Sequence, residues 1–185
     1  MTQKRFISRW LIVLLTLCWS MTSLQAQKFE QGKLYHIVSA LKGQVVDFGK
    51  EGRLDLTKQN DNNANQHFTL NELSGSWRMI NPFTNKAIRT QGDALALGEN
   101  NGSDEAQLWK VVADGQYVNL IPTNRPTMAA AVQGNKLVLI EKSKAAGNKA
   151  AQFSIKEAAH SGFDADLTYR IRSVQHPKWV LGNGD

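Results

Sequence analysis

The stretch Ala106-Gln107-Leu108-Trp109 decides the fold, because related stretches close two other segments of the chain. They read Asn65-Gln66-His67-Phe68 and Ala151-Gln152-Phe153. The closing aromatics recur at intervals of about 40 residues, a period typical of repeat architectures. The sequence therefore predicts three copies of one unit, at residues 35–68, 77–109 and 117–153.

Each copy opens on an aromatic residue and contains a glycine followed by a Leu-x-Leu run. The openers are Tyr35, Trp77 and Tyr117, and the runs are Gly52-Arg53-Leu54-Asp55-Leu56, Gly92-Asp93-Ala94-Leu95-Ala96-Leu97 and Gly134-Asn135-Lys136-Leu137-Val138-Leu139. Apolar and polar residues alternate with period two, which predicts about four short strands per copy. Ser74-Gly75 and Asp114-Gly115 provide hairpin turns between successive copies. The fold class is therefore all-β.

Residues 1–26 have the pattern of a secretory signal peptide. Basic residues precede the apolar stretch from Trp10 to Leu17, and Leu24-Gln25-Ala26 is a plausible cleavage site. The apolar stretch is shorter than the roughly 20 residues that a membrane span needs, so we expect no span in the mature chain. The only cysteine, Cys18, lies in this leader. We therefore expect a secreted protein, periplasmic, cell-surface or extracellular, without disulfides.

Charge gives no indication of a nucleic-acid partner. The chain has 22 basic and 16 acidic residues, and removal of the leader's Lys4, Arg5 and Arg9 lowers the net charge from +6 to +3. The remaining basic residues are scattered rather than gathered in a stripe that could follow a phosphate backbone. The four histidines have no metal-ligand spacing, and no phosphate-binding loop is present. We expect no cofactor and no metal.

Three four-stranded units, none able to bury its apolar face alone, close most economically around a pseudo-threefold axis. This reasoning predicts a β-trefoil. The Val45-Val46-Asp47 element, the Leu-x-Leu strands and the Gln-x-aromatic closers resemble the ricin B-type lectin repeat. The resemblance covers about residues 33–157, and we assign residues 27–157 to a ricin B-like β-trefoil.

The resemblance implies a structural role for the closing glutamines and aromatics. These residues are Gln66, Phe68, Gln107, Trp109 and Phe153. In the third copy the glutamine has moved to Gln152, and Ala151 takes its place. Either a slipped loop or a lost amide contact would explain this departure.

The resemblance also implies a carbohydrate site formed by an Asp on the first hairpin and an Asn before the closing glutamine. Only the first copy has both residues, Asp47 and Asn65. Asp47 lies twelve residues after its opener, and the same count in the other copies gives Arg89 and Ala129. The positions that correspond to Asn65 are occupied by Ala106 and Ala150. Asp47 is therefore the expected hydroxyl acceptor, or alternatively a turn-forming carboxylate. Phe48 is either a sugar-stacking ring or a core residue.

Another polar pattern in the first copy imitates a metal loop. Asp61-x-Asn63-x-Asn65 has the spacing of a calcium loop, but Gln66 stands where that loop needs glycine. We interpret it as a polar hairpin loop. Carboxylates are too scattered to indicate an acid/base pair, so we expect no enzymatic activity.

After the third copy the pattern starts again. Residues 158–168 are small and polar and are interpreted as a linker. Tyr169-Arg170-Ile171-Arg172-Ser173 then resembles the start of the first copy, which predicts that residues 169–185 begin a second, truncated trefoil. The alternative is a C-terminal arm that seals the barrel or mediates dimerisation.

Together these features predict a secreted, non-catalytic carbohydrate-binding module that targets an attached or partner glycan-active enzyme. Its partner would be a glycan or polysaccharide, and a longer parent protein could carry a catalytic domain beyond residue 185. The alternative is a structural or protein-interaction trefoil whose sugar sites have decayed, since two of the three copies lack the key carboxylate.

Overall fold

The computed structural model describes residues 29–49 and 53–158 of the chain. Within these ranges the chain forms twelve short strands and four 3-10 turns, and none of its helices could cross a membrane. The strands are β1 Tyr35–Ser39, β2 Val45–Phe48, β3 Leu54–Thr57, β4 Thr69–Leu73, β5 Ser76–Asn81, β6 Lys86–Gln91, β7 Ala94–Glu99, β8 Trp109–Asp114, β9 Tyr117–Pro122, β10 Met128–Gln133, β11 Lys136–Glu141 and β12 Phe153–Glu157. The 3-10 turns are Ala64–Gln66, Glu105–Gln107, Lys142–Lys144 and Lys149–Ala151.

Ten of the described strands form a closed antiparallel barrel. Around the ring they follow the order β11, β3, β2, β1, β12, β9, β8, β5, β6 and β7. Val138 of β11 pairs with Ala94 of β7 and closes the ring. The two remaining strands each pair with one strand of the ring, β4 with β5 and β10 with β11.

This barrel corrects the predicted fold class. The described part of the chain is all-β, but the prediction that it forms a β-trefoil made of three four-stranded repeats is wrong. The reason is that strands pair across the boundaries between copies. β1 pairs along its whole length with β12, and β11 pairs with both β3 and β7. The copies are therefore not separate pairing units, and their strands share one ring of hydrogen bonds.

The interior of the barrel is filled from all three copies. Phe68, Trp109 and Phe153, the closing aromatics, are fully buried in one continuous apolar cluster. The indole Nε1–H of Trp109 donates to the backbone oxygen of Ile88 at 3.0 Å, which satisfies its polar group inside the core. Burial of such side chains stabilises the fold by about 1.5–3 kcal/mol each. The repeated closers thus bring the three copies to a common centre.

The predicted signal peptide, residues 1–26, and the predicted start of a second unit, residues 169–185, lie outside the described residues. So does nearly all of the predicted linker, residues 158–168. Its first residue, Ala158, is buried and donates its backbone N–H to the oxygen of Leu34 at 2.8 Å. These domain boundaries remain predictions.

Candidate functional site

Asp47 lies on β2 beside a core residue, and its carboxylate is fixed by three donors. Val46 points into the core, so the Asp47 side chain lies on the opposite face of β2, where only 7% of the surface of Asp47 is exposed. Oδ2 of Asp47 accepts from Thr57 Oγ1 at 2.8 Å, from Asn63 Nδ2 at 2.9 Å and from Gln66 Nε2 at 2.9 Å. The other oxygen, Oδ1, receives no hydrogen bond from the residues that the structure describes. One oxygen therefore holds the carboxylate in place and the second is left for a further donor.

Gln66 organises the loop that faces this carboxylate. Its Nε2 donates to Asp47 and to the backbone oxygen of Lys58 at 3.0 Å, and its Oε1 accepts from the backbone N–H of Asn60 at 2.8 Å. Gln66 is almost completely buried, so these bonds satisfy polar groups that water does not reach. The side chain therefore sets both the path of the loop and the orientation of the carboxylate.

Asn65 lies near this site but does not contact Asp47. Its side chain is exposed on the 3-10 turn Ala64–Gln66, and its backbone N–H donates to Asn63 Oδ1 at 3.1 Å. Asn63 caps that turn and is the asparagine that reaches the carboxylate. Sequence reasoning missed Asn63 as a site residue. The signal that could have identified it is its N-cap position before the closing glutamine.

The loop is also fastened from the barrel side by a histidine. Buried His36 on β1 places Nδ1 3.1 Å from the backbone oxygen of Gln66 and Nε2 2.9 Å from Asp61 Oδ1. The Gln59 amide, which donates to the same oxygen, and His36 hold the pKa of the Asp61 carboxyl below its usual value. Asp61 and Asn63, two residues of the calcium-like pattern, are thus engaged by protein donors. No cluster of metal-ligating side chains is found in the described part of the chain.

The second copy keeps the glutamine contacts but changes the charge. Gln107 Nε2 donates to the oxygen of Glu99 at 2.7 Å, and Gln107 Oε1 accepts from the N–H of Asn101 at 3.1 Å, with the same sequence spacings as in the first copy. Arg89 pairs with Ala96 as Asp47 pairs with Asp55. The position of the acceptor is therefore occupied by a cation.

The third copy replaces the polar group by an apolar one. In the first two copies the opener pairs with the closing aromatic, Tyr35 with Phe68 and Trp77 with Trp109. In the third copy the closing aromatic Phe153 pairs with Val118. The residue that matches the other openers is therefore Val118 and not Tyr117. The turn before β10 is also one residue longer than the turn before β6. Ala131, rather than the counted Ala129, therefore matches Asp47.

Ala131 packs in a small apolar cluster with Ala129, Ala145 and Ala151. The 3-10 turn Lys149–Ala151 is preserved, so the closer has not slipped and Ala151 occupies the place of the glutamine. Gln152 points elsewhere and donates to Asp114 Oδ2 at 2.9 Å. The lost amide contact is the correct one of the two explanations.

Two phenylalanines lie near the polar site. Phe48 is half-buried at the end of β2, with Lys86 Nζ 5.8 Å from its ring centroid. Phe83, on the turn after β5, is 62% exposed, and its ring centroid lies 6.2 Å from that of His67. His67 follows Gln66 directly, so an accessible aromatic ring stands beside the 3-10 turn that carries Asn65. Sequence reasoning missed this ring.

No protein-family model and no curated protein matches the sequence. Solved structures do match. A ricin B-like lectin from Macrolepiota procera, solved in complex with lactose, has a TM-score of 0.59 at 14% identity over 71% of this chain and 99% of that one. The designed threefold-symmetric protein ThreeFoil gives 0.59 at 17% identity, over 69% of this chain and 99% of that one.

A third match is part of an enzyme. A GlcNAcα1-4Gal-releasing endo-β-galactosidase from Clostridium perfringens has a TM-score of 0.62 at 13% identity, and the match covers 68% of this chain but only 32% of that one. At these identities the likeness concerns the fold alone. The described barrel thus has a fold that a carbohydrate-binding lectin, a designed symmetric protein and part of a glycosidase share.

Proposed function

We propose that this chain is a secreted, non-catalytic carbohydrate-binding module with one site in the first copy. The observation that carries the proposal is the Asp47 carboxylate, with three donors on Oδ2 and none of the described residues donating to Oδ1. A carboxylate oxygen held in this way is a pre-oriented acceptor for a sugar hydroxyl. The fold shared with lectins supports the same function.

Exposed groups on and beside the 3-10 turn Ala64–Gln66 would supply the rest of a small polar site. The exposed amide of Asn65 has both a donor and an acceptor for a second hydroxyl. Phe83 offers an accessible ring of the kind on which the apolar face of a pyranose stacks. The site therefore combines a fixed acceptor with adaptable groups around it, and we expect weak binding of a neutral sugar.

We also propose that the module serves a glycan-active enzyme, as an attached domain or as a separate partner. The supporting observation is that the endo-β-galactosidase is about three times longer than its matching part. Binding to the polymer would keep such an enzyme near its substrate by raising its effective concentration.

The second candidate function is a structural or protein-interaction module. It is favoured by the apolar cluster at Ala131 and by the cation at Arg89, neither of which is a hydroxyl acceptor. In this case Asp47 would only fasten its hairpin to the loop. The experiment below separates the two candidates.

The test is a glycan-binding panel on the secreted chain and on Asp47→Asn. The amide oxygen can still accept from the three donors, whereas an NH₂ group replaces Oδ1. We expect about tenfold weaker binding or more, because a charged hydrogen bond to the sugar is lost. Asp93→Asn is the matched control, since it removes an exposed carboxylate that pairs with Arg125 and has no contact with the Asp47 donors.

Each result of this panel decides one part of the proposal. Equal binding by Asp47→Asn and the native chain would remove Asp47 from the site. No binding to any glycan would remove the carbohydrate function and leave the interaction module.

A further inference from the structure

The second copy places Arg89 where the first copy has its acceptor. Arg89 follows the core residue Ile88, as Asp47 follows Val46, so both side chains lie on the face of the second strand that is opposite the core residue. An arginine at this position reverses the charge that the site offers. The change is more than the loss of a binding residue, because the backbone around it is adapted to the larger side chain.

Gly98 provides the space for this side chain. It pairs with Ala87 as Thr57 pairs with Val45, so it occupies the position of the threonine that donates to Asp47. A Cβ atom at Gly98 would lie 2.6 Å from Arg89 Cδ. Any other residue would therefore displace the arginine, and the glycine lets its aliphatic stem cross the neighbouring strand.

The guanidinium lies near a carboxylate without forming a hydrogen bond to it. Arg89 Nη1 is 3.6 Å from Asp104 Oδ2, which is beyond hydrogen-bond length. Asp104 has another task, since its Oδ1 accepts from the N–H of Ala106 at 3.0 Å and caps the 3-10 turn. The Arg89 side chain keeps 40% of its surface exposed, so solvent reaches the guanidinium. Nε of Arg89 is buried without a hydrogen-bond partner among the described residues, so the donors available to a stronger acceptor are those of the two Nη atoms.

We infer that the second copy binds an anionic substituent of a saccharide, a carboxylate or a sulfate, through the Arg89 guanidinium. The inference rests on the proposed carbohydrate function. A planar guanidinium binds such groups through two parallel N–H donors, a geometry that neutral hydroxyls do not match. The two sites would then bind different parts of a charged glycan. The first copy would bind a neutral hydroxyl, and the second copy would bind an acid group.

The test compares matched neutral and anionic sugars by NMR titration of the native chain. The pairs are galactose with galacturonic acid, glucose with glucuronic acid, and each neutral sugar with its 6-sulfate. We expect the anionic member to bind about tenfold more tightly and to shift the Arg89 Nε–H signal. Comparison of the uronic acids with the sulfates shows which anion the site prefers.

Three variants make this test specific. Arg89→Gln should bring the ratio of anionic to neutral affinity close to one. Asp104→Asn should strengthen anion binding several-fold, because it removes the competing carboxylate but keeps the cap, as Asn63 and Asn148 cap the equivalent turns. Asp47→Asn should weaken binding of neutral sugars and leave the anionic preference in place.

The outcomes separate this inference from the proposed function. An anionic preference that persists in Arg89→Gln would overturn the inference, as would equal affinities in the native chain. Inorganic sulfate that binds as tightly as a sugar sulfate would overturn the saccharide part. Arg89-dependent binding of anionic sugars without binding of any neutral sugar would remove the first-copy site and support the second.

Discussion

Gln66 and Gln107 show how identical residues can have different roles. Both are buried, and both bond to the backbone of the loop that precedes them, with the same sequence spacings. Only Gln66 also donates to a carboxylate, that of Asp47. The structural part of their role is therefore shared, and the part that concerns the site belongs to Gln66 alone.

This difference gives a prediction for Gln66→Leu and Gln107→Leu. Each substitution leaves a backbone N–H and a backbone oxygen of its loop without their partner, so each should lower the free energy of unfolding by about 1–3 kcal/mol. Urea denaturation measures this loss. Under native conditions only Gln66→Leu should also weaken binding of neutral sugars, because Asp47 loses a donor. Equal binding by the two variants would contradict a link between Gln66 and the site.

At the scale of elements, the 3-10 turns are the most regular feature that the three copies share. The turns at residues 64–66, 105–107 and 149–151 each precede a closing aromatic by the same distance. Each turn has an N-cap residue whose side chain accepts a hydrogen bond from the backbone N–H two residues later. The three cap residues are Asn63, Asp104 and Asn148. This element is preserved even in the third copy, where the glutamine contact is lost.

The cap gives a prediction for Asn148, whose turn lacks the glutamine contacts of the other two copies. Asn148→Ala should lower the free energy of unfolding by about 0.5–2 kcal/mol, because the N–H of Ala150 loses its acceptor. Asn148→Asp is the control, since Asp104 fills the same role, and it should lose only the exposed bond to the oxygen of Lys144. Thermal unfolding of the two variants measures the difference, and equal losses would show that the cap contributes nothing.

The sequence predicted these elements better than their arrangement. Alternation located the strands, since Leu-x-Leu runs and closing aromatics are local patterns. Counting from openers failed in the third copy, because Val118 replaces Tyr117 as the matching residue and the next turn is longer. The contact between Asp47 and Asn63 was also not predictable, because it depends on how a loop folds back over a hairpin.

At the scale of the whole molecule, the pairing of strands was the feature that sequence did not reveal. Pairs such as Val138 with Ala94, or Tyr35 with Glu157, join residues from different copies, and no local pattern specifies them. The repeat indicated that three units share one centre. It did not indicate that their strands close a single ring.

Two carboxylates that connect distant parts of the barrel give the molecule a defined response to acid. The Gln152 amide and the backbone N–H of Gly147 hold the pKa of Asp114 below its usual value, and Gln59 and His36 do the same for Asp61. A carboxyl whose pKa is lowered by folding contributes stability above its unfolded pKa, about 3.9, and loses it as the pH falls through the folded value.

We therefore expect the urea midpoint to fall as the pH is lowered from about 5 to below 3. Asp114→Asn should make this fall shallower, because one of the two groups no longer binds a proton on unfolding. Both carboxyls are near solvent, which limits the size of each contribution. The same slope in the native chain and in Asp114→Asn would show that other groups cause the acid response.

The pairing of β1 with β12 also determines when this protein can fold. The first described strand joins the last described one over five residue pairs, from Tyr35 with Glu157 to Ser39 with Phe153. Until β12 has been synthesised, β1 can pair only with β2 and, through Tyr35, with Phe68, and the ring stays open. Such distant pairings make folding slow, because a long loop of chain must be ordered before its ends meet. We therefore expect the ring to close only after Glu157 has been synthesised, when nearly all of the described chain has been made.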